Sequence, residues 1–363
     1  MLAGFRVLLP FLYLFYLSSF AYAEEDGITL EMLYVGEGVS NVSGGLKQDS
    51  TYLGTGDMAV TIDTEQAGWW QGGTWYIEAL VNHGTDPSSF IGDTQTASNI
   101  ADGKRTRLQQ FWYQHDINDN ISILLGLHDL NSEFYVSEYA TLFLNSSFGV
   151  GPDMSGNVPT SLWPEAGYAL RLDVHAEHLY LHAAAYDGDP ATRAVDATKE
   201  GLMWIAEAGL LNHGSAYKLG VWQHTADKVA PDGAVYSSDF GMYAVVDQAL
   251  NDDFGVFLQL GLAPSDRNEI SQYLGFGAHI HGLIPSRHDD TFGIGVARAG
   301  FSSLNQSIHG LTSAETTVEI TYDMAVTDYL NIHPAFQWIQ HPSGDPALKA
   351  AKVAMLRLEL SLP

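Results

Sequence analysis

The sequence predicts an all-β fold: a transmembrane antiparallel β-barrel of sixteen strands, with one long loop folded into its lumen. Three observations predict it. Short runs alternate apolar and polar residues with period two. The connections between those runs alternate between short and long. The composition is rich in glycine (36) and aromatics (18 Tyr, 16 Phe, 8 Trp), strongly acidic, and without cysteine.

The chain opens with a targeting segment. Arg6 supplies a positive start, Val7 to Phe20 form an apolar core, and Ala21-Tyr22-Ala23 reads as a cleavage site before Glu24. Residues 1–23 are therefore expected to be a cleaved signal peptide read by the Sec pathway, and residues 24–363 a single outer-membrane barrel domain. The apolar run is too short for a membrane anchor and ends in a cleavage signature. Removing it takes away Arg6 and no acid, so 16 basic residues become 15 against 43 acidic ones, and a formal charge of −27 becomes −28. That balance argues against nucleic-acid binding and against docking on an anionic surface. An exported chain without cysteine has no disulfide framework, so its stability must come from a large core or a closed sheet.

Sixteen strands are expected. They centre on 28–34, 52–64, 73–82, 107–116, 120–128, 165–175, 178–186, 201–211, 216–225, 238–248, 253–263, 271–281, 290–299, 314–324, 329–340 and 351–360. Each has about the 9–11 residues that a tilted strand needs to cross a bilayer. Alternation is clearest in four. Tyr168, Leu170, Leu172 and Val174 oppose Arg171, Asp173 and His175. Leu179, Leu181, Ala183 and Ala185 oppose His178, Tyr180 and His182. Phe254, Val256, Leu258, Leu260 and Leu262 oppose Gly255, Phe257, Gln259 and Gly261. Val318, Ile320, Tyr322 and Met324 oppose Glu315, Thr317, Glu319, Thr321 and Asp323.

Short connections fall at 117–119, 176–177, 212–215, 249–252 and 326–328. Longer ones intervene, among them 35–51, 83–106, 187–200, 226–237, 301–313 and 341–350. Short turns at one end and long loops at the other are the outer-membrane pattern, and an even strand count puts both termini on the short-turn side. Tyr34, Tyr52, Trp75, Trp112, Tyr113, Trp204, Trp222 and Trp338 gather toward strand ends, as rings of the two bilayer interfaces would. Ordinary cross-strand aromatic packing explains any one of them equally well.

The longest interruption runs from His128 to Pro164. It holds Phe134, Tyr135, Tyr139, Phe143, Phe148 and Trp163 with several Asn and Ser, and no Lys or Arg. A solvated loop has no use for so many rings, and a compact β-protein seldom carries so long a connection idly. The stretch is expected to fold inward into the barrel mouth.

These residues carry a resemblance. The run Gly126-Leu127-His128-Asp129-Leu130-Asn131-Ser132-Glu133-Phe134, the run Phe143-Leu144-Asn145-Ser146-Ser147-Phe148-Gly149, and Pro159 through Trp163-Pro164 to Gly167 are similar to the carbohydrate-selective porin family (OprB type). So are Glu315-Thr316-Thr317, Pro334-Ala335-Phe336-Gln337-Trp338-Ile339 and His341-Pro342-Ser343-Gly344-Asp345-Pro346. The resemblance implies a sixteen-stranded barrel of the bacterial outer membrane that passes sugars by facilitated diffusion, with no cofactor and no chemistry. It implies a constriction formed by the central loop. The chain departs from the pattern in ending Leu360-Ser361-Leu362-Pro363 rather than in Phe, and in having few Arg. Pro334, inside an expected strand, would sit at a bend or bulge.

A sugar channel needs ring faces for pyranose rings and carboxylate, amide or Arg groups for hydroxyls, held weakly enough for release. On this reading the loop offers Asn131, Glu133, Phe134, Tyr135, Asn145, Phe148 and Trp163. The inner wall offers Arg171, Asp173, Glu315, Glu319 and Gln337. Each is equally explained as a generic polar or packing residue of the lumen. The expected partners are small saccharides and outer-membrane lipids, with the chain a monomer or a trimer.

Two other function classes share part of this pattern. The acidic balance suits a general cation-preferring porin without a sugar site; a conduit for polyanionic polysaccharide would need a basic lumen. A lipase-like barrel or a secreted polysaccharide-active enzyme would need a nucleophile with its base, or a converging carboxylate pair. No Gly-x-Ser-x-Gly elbow, P-loop or cysteine site occurs. The pairs Asp252-Asp253 and Asp289-Asp290 sit where turn chemistry favours Asp. His175 with His178, and His279 with His281, have a metal-like spacing but no third ligand, so no catalytic or metal residues are assigned.

Overall fold

The structure is a computed structural model and describes residues 22–362; the expected signal peptide lies outside the described residues except for Tyr22 and Ala23. Sixteen strands close into one antiparallel barrel: β1 (Ile28–Ser43), β2 (Asp49–Asp63), β3 (Gly73–His83), β4 (Arg105–Asn118), β5 (Ile121–His128), β6 (Gly167–Ala176), β7 (Leu179–Asp187) and β8 (Leu202–Asn212) make the first half. The second half is β9 (Ser215–His224), β10 (Asp239–Ala249), β11 (Phe254–Leu262), β12 (Ile270–His281), β13 (Thr291–Phe301), β14 (Ala314–Thr327), β15 (Leu330–Gln340) and β16 (Ala351–Leu362). Each strand pairs with its sequence neighbours, and β16 returns to β1 from Lys352 opposite Ser43 to Leu362 opposite Met32. A four-residue strand, Tyr22–Glu25, folds back on the start of β1, and a small hairpin pairs Lys228–Val229 with Val235–Tyr236.

Closure leaves no open sheet edge, so the wall's backbone groups bond to neighbouring strands except at local irregularities such as Pro334 and the β4 bulge. The outward positions are apolar and exposed: Leu125, Leu170, Leu219, Val221, Met242, Ile294 and Leu356 are examples. That would be an aggregation liability in water and is the lipid-facing band of a membrane barrel. No described helix is long and apolar enough to cross a membrane.

The first long connection is not where the sequence puts it. β1 and β2 run on to Ser43 and back from Asp49, which leaves only residues 44–48 between them instead of 35–51. The alternation continues there with inverted polarity. Val35 and Val39 point inward, while Gly36, Gly38 and Ser40 point outward, so glycines that read as a loop belong to a strand.

Two aromatics also change sides. Trp112 and Trp222 face the lumen, not the bilayer: Trp112 stacks on Tyr76 at 5.0 Å, and Trp222 is buried over Gly241. A bulge between Glu78 and Ala79 on one side and Gln110 and Leu108 on the other shifts the parity of β4. Tyr34, Tyr52, Trp75, Tyr113, Trp204 and Trp338 remain on outward positions. Tyr34 binds Tyr52 (2.7 Å) and His83 (3.0 Å), and Trp70 of the 64–72 connection donates to Tyr113 (2.8 Å). At Pro334 the β14–β15 ladder is interrupted between Thr321–Ala335 and Met324–Ile332 and then resumes in the same register, because proline offers no N–H.

Candidate solute pathway

The pathway is shaped by two loops that enter the barrel. Residues 129–166 leave β5 through a tied neck. The Leu130 N–H donates to the Ser161 carbonyl at 2.7 Å. The Ser161 hydroxyl donates to the His128 carbonyl and accepts from the Gly167 N–H, both at 2.7 Å. From the neck the loop descends along β7–β10 to the short-turn end, where the Tyr139 hydroxyl reaches the Gly214 carbonyl at 2.8 Å. It then crosses to β14 with Phe143 and Phe148 packed 4.6 Å apart, and returns through a short helix, Pro152–Ser155.

The wall is built to receive it. A Cβ on Gly295 would lie 2.8 Å from Phe143 and 2.9 Å from Phe148, and one on Gly261 would collide with Asp153. Glycine is required there because the loop supplies the side chains that the wall omits. The loop rings and the inner faces of β6–β13 form the main apolar core.

Wall carboxylates anchor the loop by accepting its backbone N–H groups. Glu319 accepts from Leu144 (2.7 Å) and Asn145 (3.0 Å), and Gln337 donates to it at 3.0 Å. Asp247 accepts from the Ser137 hydroxyl (2.5 Å) and the Glu138 N–H (2.9 Å). Glu207 accepts from the Tyr135 N–H (3.0 Å) and from the hydroxyls of Tyr180 (2.7 Å) and Tyr243 (2.8 Å). Tyr135 adopts a left-handed backbone (φ 67°) and lays its ring on Tyr243 at 4.2 Å. Charge-assisted bonds of this kind are about twice as strong as neutral ones.

The second loop, residues 84–104, was expected to be an ordinary external connection, and it also turns inward. Glu315 accepts the N–H groups of Thr94 and Gln95, each at 2.8 Å, and that of Ser343 at 2.6 Å. The Gln337 amide donates to the Ala97 carbonyl at 2.7 Å. The two loops meet where the Asn99 N–H donates to the Leu144 carbonyl (2.7 Å) and the Ser146 N–H to the Thr96 carbonyl (3.0 Å).

The expected contact residues therefore divide. Phe134, Tyr135, Asn145, Phe148, Glu315, Glu319 and Gln337 are at most 2 % exposed and are used in seating the loops, so as they stand they offer no surface to a solute. The loops they seat cover them, although Asn145 Nδ2 and Gln337 Oε1 keep no hydrogen-bond partner. Asn131, Glu133 and Trp163 stay half-buried. Asn131 donates to the Phe134 carbonyl at 3.2 Å. Glu133 ties the loop to Arg171 (2.8 Å), and Arg171 also binds Asp173 (2.9 Å), so these three form one buried charge network beside the path.

Across from the seated loop, half-buried side chains of β1–β4 face the lumen, and of these only Trp112 stood out in the sequence, as a ring near a strand end. Register aligns Glu31, Ala59 and Glu78 in one row, with Gln110 opposite Glu78. Asp57 lies one row nearer the long loops; Tyr76 and Trp112, a stacked pair, lie one row nearer the short turns. Gln110 donates to Glu78 at 2.7 Å, and the Trp112 indole N–H donates to Gln110 at 3.3 Å. Among the described residues Glu31, Asp57 and Glu78 form no ion pair. Only the inverted pattern of glycine and bulky positions between the two halves of the wall could have signalled them.

Within the central loop, Asp153 is fully buried and burial pushes its carboxyl up to about 7, opposed by the hydrogen bond from Tyr135 (3.2 Å). Its second oxygen has no partner.

The sequence profile of the family "Carbohydrate-selective porin, OprB family" matches residues 47–362. Porin B of Pseudomonas aeruginosa is 24 % identical over 401 residues, covering 92 % of this chain and 87 % of its own. A high-pH structure of Pseudomonas putida OprB superposes with a TM-score of 0.82 at 20 % identity, covering 92 % of this chain and 94 % of that one. The low-pH structure of the same protein superposes with a TM-score of 0.60 at 17 % identity, covering 92 % of each.

Proposed function

Since this chain belongs to the carbohydrate-selective porin family, we propose that it lets small saccharides diffuse passively through its lumen along the face formed by β1–β4. It is a channel of the Gram-negative outer membrane. The observation that carries the proposed path is the stacked pair Tyr76–Trp112 directly below the row Glu31, Glu78 and Gln110. A ring surface takes the apolar face of a pyranose, and carboxylates and an amide beside it take the hydroxyls. Glu133, Asn131 and Trp163 complete the opposite rim of the path, while Arg171 and Asp173 hold Glu133 in place. No covalent step is needed, and both substrate and product are the same sugar on two sides of the membrane.

Three uncompensated carboxylates in the lumen also support a preference for cations among small ions. Screening acts over about 8–10 Å at physiological salt, so lumen charges decide and distant loop charges do not. Export follows from the signal at 1–23 by the Sec route, and its cleavage after Ala23 falls inside the short strand Tyr22–Glu25. The outward apolar band suits outer-membrane lipid, and each chain encloses its own path, so the transport unit is one chain in a monomer or a trimer alike.

The test is single-channel conductance in planar bilayers with mono- and disaccharides as blockers. Trp112→Ala removes a contact of about 0.5–1.5 kcal/mol, which weakens block roughly two- to tenfold. Sugar block that is unchanged in this variant would place the solute elsewhere in the lumen.

A further inference from the structure

We propose that the outward face of β13–β16, at its long-loop end, binds a phosphorylated glycolipid of the outer leaflet, with Arg298 and Lys352 holding its phosphates. This inference rests on the membrane placement and not on sugar transport.

Strand alternation assigns every wall residue to lumen or bilayer, and Arg298 and Lys352 are the only Lys or Arg of the sixteen strands on outward positions. A cation facing hydrocarbon is costly unless it reaches an interface or an anion. Both stand at the long-loop rim: Arg298 is three residues before the end of β13, and Lys352 is the second residue of β16. Long loops face outward from the cell in such barrels, so this rim meets the outer leaflet. Among the described residues neither cation pairs with a carboxylate, although the chain carries 43 acids.

The local structure favours a headgroup. Gly300 leaves its outward position bare, and Arg298 Nη1 lies 3.5 Å from where a Cβ there would stand. The guanidinium thus lies along the strand toward the rim, the geometry of a side chain reaching for the interface. Lys352 lies directly opposite Trp338, whose ring is 43 % exposed and offers a stacking surface for a sugar. Thr316 and Gln340 continue the row of Arg298 across β14 and β15, and Lys352 with Trp338 lies one row nearer the short turns. Below them Ile294, Ile320, Phe336 and Leu356 are exposed and apolar, a surface for acyl chains. Three inter-strand steps separate the cations, roughly 14 Å around the barrel. A sugar headgroup with a phosphate at each end matches two cations with a ring between them; a single phosphodiester lipid engages only one.

The experiment is native mass spectrometry of the detergent-solubilised full chain with bisphosphorylated lipid A, dephosphorylated lipid A or phosphatidylglycerol added. The wild-type barrel is expected to retain bisphosphorylated lipid A, and R298Q/K352Q to lose at least tenfold of that retention while keeping its heat-modifiable mobility and its conductance. Dephosphorylated lipid A and phosphatidylglycerol should bind the wild type no better than bisphosphorylated lipid A binds the double variant. Equal retention by the double variant, or equal binding of either comparison lipid, would overturn the proposal. If the double variant does not assemble, the exposed K352Q alone serves: retention reduced at least threefold supports the site, and unchanged retention refutes it.

Discussion

The two halves of the inner wall carry the same kinds of side chain and use them in opposite ways. On β8, β10 and β14, Glu207, Asp247 and Glu319 each accept N–H or O–H groups from the central loop or from rings beneath it, with Gly220 opposite Glu207 and Gly295 opposite Glu319. On β1–β3, Glu31, Asp57 and Glu78 face the lumen with no loop donors, beside the bulky pair Tyr76–Trp112. The difference teaches that a lumen carboxylate is defined by what reaches it. Two backbone donors make it an anchor; an open lumen makes it part of the path. The same rule holds for rings, since Phe148 is a wedge between loop and wall while Trp112 is a lumen surface.

The largest effect expected from breaking this contrast is deletion of residues 137–155. The glycine-lined half would then stand open, single-channel conductance should rise severalfold, and sugar block should vanish. Conductance and block both unchanged would mean that the loop does not limit the path. A smaller effect sharpens the contrast between two carboxylates. Glu319→Gln leaves two N–H donors facing one acceptor, a loss of about 1.5–3 kcal/mol of loop seating. Amide exchange over 144–148 should accelerate, with ion selectivity close to wild type. Glu78→Gln should do the reverse, lowering the K+ over Cl− preference read from the reversal potential in a KCl gradient without altering exchange. A swap of those outcomes would refute the division.

The smallest effect concerns pH. Burial raises the Asp153 carboxyl to about 7, well above its unfolded value, so the neutral acid is the form that the folded loop favours. Its contribution to loop seating is fully present below the unfolded carboxylate range and is lost as pH rises through about 7. With the intrinsic base-catalysed rate divided out, protection at 151–158 should therefore fall between the unfolded carboxylate range and about pH 7 in the wild type and stay level in Asp153→Asn. A flat wild-type profile would show that the carboxyl is not held neutral.

The barrel was legible because membrane strands must alternate, and alternation survives in the linear sequence. Sixteen strands and the alternation of short and long connections could be read directly. The inward course of the central loop was legible too, from rings such as Phe143 and Phe148 that no solvent-facing loop needs. What could not be read was the partner of each inward group. Glu315 and Glu78 are alike in sequence, each an acid on the polar face of an alternating strand, and only the distant N–H groups of Thr94, Gln95 and Ser343 separate their roles. Loop 84–104 hid for the same reason: its anchors lie more than two hundred residues away. Trp112 and Tyr113 are consecutive, so only one of them can face the bilayer, and clustering near a strand end does not say which.

The closing seam gives the fold an order of events. On the last strand, Arg357 donates to Glu37 of the first strand at 2.7 Å and to Asn99 of the inward loop at 2.6 Å. The three meet where the sheet joins its own beginning, and a buried arginine deprived of its carboxylate costs about 3–5 kcal/mol. Until β16 docks on β1, that arginine lacks its carboxylate, and until loop 84–104 is inside, it lacks its amide. Zipping the ring shut and swallowing the loop are thus linked through one side chain. A ring closed with its loop left outside would leave Arg357 without its amide partner at the seam.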